Sequence, residues 1–313
     1  MTTLGLAKLI SPVSTQDFFA QHWPHTPLFV PAVRNKLNEL FDLPELQTLE
    51  ALVSARTLKV RACLPDFDDE YSSISLEPQD ALKAFRNNMT LVFDSMQLQD
   101  ATIAAALTKI RQDLGLVTGG SENNLCRARS IVYATPAGAG TRMHFDANAN
   151  FVIQLSGSKR WMLAANTSVK NPTERFTVGT FEMPAALEKQ CHAELLNEPP
   201  KDASEIFMEP GCVLYVPRGY WHATDTEEDS LSLNFTFSQP SWADVFTKSM
   251  QEWLLNSPDW RALADGLESA EPLRKERAIE QFEMLLKDLS LKLPEISGRQ
   301  LLIESGLLKS NRD

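Results

Sequence analysis

The stretch Thr141-Arg142-Met143-His144-Phe145-Asp146-Ala147-Asn148-Ala149-Asn150 decides the reading of this chain. It sets a histidine and a carboxylate two residues apart, and in a strand residues i and i+2 point to the same face. His144 and Asp146 are therefore expected to converge on one point. Phe151-Val152-Ile153-Gln154-Leu155, then Ser156-Gly157-Ser158, then Lys159-Arg160-Trp161-Met162-Leu163 read as strand, turn and strand. A second piece is Pro210-Gly211-Cys212-Val213-Leu214-Tyr215-Val216-Pro217-Arg218-Gly219-Tyr220-Trp221-His222. It is a short apolar strand ending in a Pro/Gly turn that delivers another histidine.

Two histidines and one carboxylate, with coordination positions left open, form the facial set that suits a non-haem Fe(II) oxygenase. His-x-Asp alone is a weak signal. With 5 histidines in 313 residues, chance gives about 0.3 such pairs in a chain of this composition. The strand context and the second strand-borne histidine, His222, make it a strong one. Lys159 adds to it: a hairpin would fold it back beside the His-x-Asp strand. A buried cation there needs an anionic partner, which a dicarboxylate cosubstrate would supply.

Composition bounds the remaining classes. A chain of 313 residues with 43% hydrophobic content allows one large domain with an appendage, or two domains, and excludes bulk disorder. With 41 Asp+Glu against 30 Lys+Arg and a net charge of −11, nonspecific nucleic-acid binding is disfavoured; a basic partner could be attracted. Cys63, Cys126, Cys191 and Cys212 have no paired spacing, which argues for a reducing compartment and against a zinc site. There is no basic segment followed by an apolar one at the start and no apolar run approaching 18 residues, so a cytoplasmic, soluble protein is expected, without a membrane partner.

Along the chain, Ser14 caps a helix with Asp17 as its capping-box partner, and Thr15 is the alternative cap. A short strand follows Pro27, helical patterns cover 36–41 and 45–55, and a strand covers 58–62. The acidic residues Asp66, Asp68, Asp69 and Glu70 surround Phe67 and Tyr71; a solvated loop is the plain reading, a dock for a basic peptide the sharper one. Helix, strand and helix are predicted at 78–87, 90–93 and 102–114, with Ile103, Leu107 and Ile110 on the core face. A strand at 128–134 leads through a Gly-rich turn, which is no phosphate loop, into the His-x-Asp strand. Residues 164–206 read as a long polar insert between strands. His192, inside it, is read as exposed, and His22 and His25 as turn or surface residues. Leu231-Ser232-Leu233-Asn234-Phe235-Thr236-Phe237 alternates strictly and is a strand. Helices are predicted at 241–256, 258–267 and 271–291.

His144-x-Asp146, Lys159-Arg160-Trp161 and Glu209-Pro210-Gly211 through Pro217-x-Gly219-x-Trp221-His222 resemble the JmjC branch of the Fe(II)/2-oxoglutarate oxygenases, nearest the ribosomal-oxygenase-like protein hydroxylases. The resemblance covers roughly residues 15–290, with specific motifs between 133 and 237. It implies an α+β, mainly β fold: a double-stranded β-helix (jelly-roll, cupin-like) core over residues 1–240. N-terminal helices and strands would precede it, and a C-terminal helical region, 241–313, would form a homodimer. It also implies iron held by His144, Asp146 and His222, and 2-oxoglutarate contacted by Lys159, Thr141, Asn150 and Asn234. The tyrosine that some members supply has no match: Phe93 stands in that stretch, and Tyr133 is a weak substitute. About twenty residues follow the last long helix, too few for the winged-helix domain of many ribosomal oxygenases, a departure that counts against a ribosomal-protein substrate. Asp146, where the family's demethylases often have Glu, leans the reading toward hydroxylation.

The favoured expectation is therefore a dioxygenase that uses Fe(II), 2-oxoglutarate and O2 to hydroxylate a protein or peptide side chain, with a basic or neutral segment entering beside residues 66–70. Two alternatives stand: a hydroxylase of a small metabolite or natural-product peptide, and a non-oxidative cupin-fold metal-binding module.

Overall fold

The structure is a computed structural model that describes residues 3–33, 35–64, 72–116, 126–180 and 183–308. The acidic stretch 66–70 lies outside the described residues. The chain divides into two compact units, the first made of the residues up to Leu116 and of Arg127–Ser238, the second of Cys126 and the residues from Gln239 onward.

The first unit carries the strands β1 (Leu28–Val30), β2 (Val60–Cys63), β3 (Ser73–Leu76), β4 (Thr90–Phe93), β5 (Arg127–Thr135), β6 (Gly140–Phe145), β7 (Ala149–Ser156), β8 (Lys159–Ala164), β9 (Phe176–Thr177), β10 (Ser204–Met208), β11 (Val213–Val216), β12 (Trp221–Asp225) and β13 (Ser230–Ser238). They form two antiparallel sheets, ordered β1-β11-β7-β13-β5-β4-β2-β3 and β10-β8-β12-β6-β9. From β5 to β8 each strand changes sheet, and so does each from β10 to β13. This is a jelly-roll, and Ser156-Gly157-Ser158 is accordingly a crossover between sheets and not a hairpin. β8 pairs with β12 and β10, so Lys159 stands one strand further from His144 than a hairpin would put it.

Alternation along each strand divides the two faces. On β13, Leu231, Leu233, Phe235 and Phe237 are buried on the outer face of the larger sheet, while Ser232, Asn234 and Thr236 face inward. The outer face packs with Leu6, Phe18, Ile103 and Ile110 of N-terminal helices in one core. Fully burying side chains of this size stabilises by about 1.5–3 kcal/mol each. The first of these helices to be read from sequence has the expected Ser14 cap, with the Asp17 amide donating to Ser14 Oγ at 3.0 Å. The Asp17 carboxylate, however, accepts from the Ser14 hydroxyl at 2.6 Å and not from the Ser14 amide, as a full capping box would have it. Inside, Val152, Leu214, Val216, Trp161, Leu163 and Met208 form a second apolar cluster, and beyond it the interior opens into a cavity.

The insert at 164–206 is more ordered than its polar sequence suggests. It supplies β9 and the helix Ala185–Gln190, and it buries Val169, Val178, Leu187 and Leu195 against Met143, Phe145 and Trp221 on the outer face of the smaller sheet. Its apolar residues are spaced irregularly, which hides this cover in the sequence. His192 is exposed.

The second unit contains the helices Trp242–Leu254, Pro272–Lys292 and Gly298–Glu304. The first opens on a capping box between Ser241 and Asp244. The helix expected at 258–267 is a series of turns; Gly266 takes a positive φ, and Leu263 and Leu267 are left exposed. No residue of Pro272–Lys292 is buried. Among the described residues no helix is long and apolar enough to cross a membrane.

Candidate metal centre and adjoining cavity

β6 and β12 are neighbours in the smaller sheet, and their register sets His144 directly opposite His222. The ring centroids are 4.1 Å apart. Asp146 lies just past the end of β6, where the Gly219 amide donates to its carbonyl at 2.8 Å. This ties the turn before His222 to the His-x-Asp segment. Gly219 has φ +81°, and a Cβ there would lie 2.6 Å from Pro172 Cδ, so glycine is required on two counts. Gly140 is a close-approach site: a Cβ would sit 1.9 Å from the Thr224 carbonyl oxygen.

The three side chains converge. One ligand atom from each of His144, Asp146 and His222 lies within 4.8 Å of the others. Each imidazole is oriented by the same local device. Nδ1 of His144 is 2.7 Å from the Arg142 carbonyl, and Nδ1 of His222 is 2.9 Å from the Tyr220 carbonyl. A carbonyl only accepts, so each Nδ1 carries the proton and each Nε2 keeps its lone pair for a metal. His222 Nε2 is 3.7 Å from Asp146 Oδ2.

Electrostatics keep the set ready for a cation. Burial, together with His222 and Arg175, pushes the His144 imidazolium well below the usual histidine range, against the opposing pull of Asp146 and the Arg142 carbonyl. For Asp146 burial acts upward, but His144, Arg175, His222 and the Asn150 amide together hold its carboxyl below the ordinary value. Neutral imidazoles and an ionised carboxylate are the protonation states that ligate.

The adjoining cavity is about 940 Å³ and is lined by Lys159, Thr141, Asn150 and Asn234 as well as the three convergent residues. Lys159, 5% exposed, donates to Thr135 Oγ1 at 3.0 Å. Thr141 Oγ1 is 3.0 Å from Thr224 Oγ1. Asn150 donates to Asp146 Oδ2 at 3.3 Å and accepts from Thr236 Oγ1 at 2.8 Å, so its amide is fixed from both sides. Asn234 Oδ1 is buried without a hydrogen-bond partner. Turned over, the same amide offers an NH2 to a carboxylate. Tyr133 lines the cavity, whereas Phe93 is buried in the outer core.

Two neighbours of the centre escape sequence reasoning. Trp161 stacks behind His222 at 5.9 Å with 24° between the planes. Arg175, from the insert, places Nη1 3.7 Å from Asp146 Oδ1. Trp161 sits in a recognised motif, but nothing in the spacing around Arg175 marks it.

Residues 119–245 match the family model of the JmjC domain. This segment is a JmjC domain. The chain is 28% identical over 306 residues to the uncharacterized protein YxbC of Bacillus subtilis (strain 168), covering 96% of this chain and 91% of that protein. It is 25% identical over 315 residues to ribosomal oxygenase 2 of Rattus norvegicus, covering 96% of this chain but 62% of that protein. Among solved structures, YcfD, a ribosomal oxygenase from Escherichia coli in complex with cobalt and succinic acid, superposes with a TM-score of 0.51 at 16% identity, over 88% of this chain and 67% of that chain. At that identity the likeness bears on the fold, and it agrees with the jelly-roll core of the JmjC domain.

Proposed function

We propose that the chain is an Fe(II)- and 2-oxoglutarate-dependent oxygenase that hydroxylates a protein or peptide side chain. The observation that carries this reading is the pair of Nδ1-anchored imidazoles presenting Nε2 beside an ionised Asp146. Two neutral nitrogen donors and one carboxylate fit a ferrous ion with open positions. When bound, iron with 2-oxoglutarate and O2 supplies the oxidising power that turns C–H into C–OH, leaving succinate and CO2.

The chain's residues do the positioning. His144, Asp146 and His222 would hold the metal, and Asn150 steers the Asp146 carboxylate. Lys159 would anchor the distal carboxylate of 2-oxoglutarate, with Thr141, Asn150 and Asn234 as further polar contacts. A five-carbon dicarboxylate fills only part of a cavity of about 940 Å³, which leaves room for a substrate side chain. The relatives named as ribosomal oxygenases support a protein substrate. A cytoplasmic setting belongs to the same reading, resting on four cysteines at no paired spacing. The test is incubation with Fe(II), 2-oxoglutarate and cell-extract fractions, reading succinate and the gain of one oxygen atom by mass spectrometry. Absence of 2-oxoglutarate consumption from a metal-loaded protein would instead support a non-oxidative metal-binding module.

The domain division at about residue 240 carries a second part of the reading, a homodimer through residues 241–290. Trp242, Phe246, Leu273, Phe282, Met284 and Leu291 are each more than half exposed, more apolar side chain than a monomer's surface usually leaves uncovered. Light scattering should give twice the chain mass at micromolar concentration, and truncation at Pro240 should give a monomer or an insoluble product. A monomeric full-length chain would refute it.

A further inference from the structure

Resting on that oxygenase reading for its role as substrate, we infer that the polypeptide segment entering the cavity is acidic, and that Arg127 and Arg129 of β5 receive its carboxylates. Both arginines are exposed, both line the cavity, and at i and i+2 they share the inward face of the larger sheet. Among the described residues, the cavity's buried and half-buried carboxylates are already engaged by other bases, and the exposed Glu174 is its one further carboxylate. Asp94 is 3.2 Å from Arg61, Asp146 is 3.7 Å from Arg175, and Asp225 is 2.7 Å from Arg160. Among the described residues neither Arg127 nor Arg129 is in an ion pair, so both keep their charge for a ligand. On a chain of net charge −11, two such cations side by side run against the average surface.

The sheet register fixes how far this strip lies from the metal centre. Thr236 of β13 pairs with Arg129 on one side and Asn150 on the other. Strands are about 4.8 Å apart, so the Arg129 backbone is about 10 Å from that of Asn150, which hydrogen-bonds Asp146. An extended peptide advances about 3.3 Å per residue. The acidic residue would therefore sit three or four positions from the one that is oxidised.

A guanidinium reads carboxylate and phosphate alike, but a nucleic-acid channel interleaves its cations with aromatic faces on which bases stack. Among the described residues, the aromatic rings of the lining apart from the two imidazoles are Tyr133 and Trp161, and Trp161 is buried against His222. The wall therefore suits an acidic peptide better than a nucleic acid. Its sign is also opposite to the basic segment expected from residues 66–70.

The test is fluorescence anisotropy on the full-length protein with no iron or 2-oxoglutarate added, using labelled decapeptides of alternating Glu/Ala and Lys/Ala, with an oligouridylate as competitor. The Glu/Ala peptide should bind about tenfold tighter or more at low salt, with the preference shrinking as salt rises. R127E/R129E should reverse the order. Should that variant melt early, R127Q/R129Q should abolish the preference. Equal or tighter binding of the Lys/Ala peptide, an unchanged ratio in the variants, or stronger competition by the oligouridylate than by unlabelled Glu/Ala peptide would each overturn the inference. Because the readout is binding alone, its failure is distinct from failure of the oxygenase reading, which is read by 2-oxoglutarate consumption.

Discussion

At the metal end of the cavity the three ligand side chains are fixed in advance. Both imidazoles are pinned through Nδ1 to a carbonyl two residues back, and Asp146 is held by Asn150 and faced by Arg175. Along the wall formed by the larger sheet, Asn234 keeps a buried oxygen without a partner and Arg127 and Arg129 stand outside any ion pair of the described residues. The first region resembles a finished fitting and the second a set of donors waiting to be matched. Fixed geometry is what a metal needs, since ligands must be deprotonated and aimed before it binds. Molecules that enter and leave with each turnover need groups whose hydrogen bonds they complete.

Removing a ligand should produce the largest effect and test the first half of this contrast. H144A or H222A should weaken Co(II) or Fe(II) binding by about 100-fold or more, because a two-ligand site loses both affinity and shape. Titration calorimetry under anaerobic conditions reads it, and retention of wild-type affinity by either variant would remove that residue from the site. H192A should bind metal like wild type.

The wall responds next. K159A should raise the KM for 2-oxoglutarate by about tenfold or more, since a charge-assisted hydrogen bond to a desolvated carboxylate is lost. K159R should recover part of the loss, as the charge stays and the geometry changes. An unchanged KM in K159A would move the anchor to another cation of the same cavity, Arg142 or Arg129.

Arg175 sharpens the contrast because it belongs to the metal end yet is no ligand. R175Q should lower the stability of the metal-free protein by about 1–3 kcal/mol, by leaving a desolvated carboxylate less compensated. The rise in Tm on adding Co(II) should then exceed that of wild type, because the metal takes over the compensation. Equal metal-induced shifts in the two proteins would mean that Arg175 and Asp146 are not energetically coupled.

The smallest effect is in the pH dependence of the metal-free protein. His144 is held well below its ordinary value by burial first and by His222 and Arg175 next. Below an unfolded value of about 6.5 the unfolded chain binds a proton that the folded one refuses. The contribution of His144 is thus complete above that value and is lost as pH falls toward the depressed folded one. Asp146, also depressed, adds a further loss only below an unfolded value of about 3.9. Urea unfolding between pH 5 and 8 should show a plateau above about pH 7 and declining stability below about 6.5, and bound Co(II) should extend the plateau downward. A flat profile to pH 5 in the metal-free protein would contradict the buried, neutral state of His144.

Local patterns were legible without any structure. The Ser14 and Ser241 helix starts, the strict alternation of β13 and the His-x-Asp and Pro-Gly-to-His222 spacings each depend on residues a few positions apart. Backbone geometry alone converts such spacing into a face or a cap. The convergence of His144, Asp146 and His222 needed one long-range fact, the pairing of β6 with β12, which the motif resemblance anticipated. Sheet membership was not legible: a turn such as Ser156-Gly157-Ser158 reads the same whether it closes a hairpin or crosses between sheets. Strand pairing decided between them, with β8 set between β10 and β12 in the smaller sheet while Phe151 and Phe235 are buried on the larger one. Arg175 next to Asp146, and Arg129 two strands from Asn150, likewise come from segments far apart in the chain. Their meeting is set by strand order and register, which depend on the whole core and which no window of sequence contains.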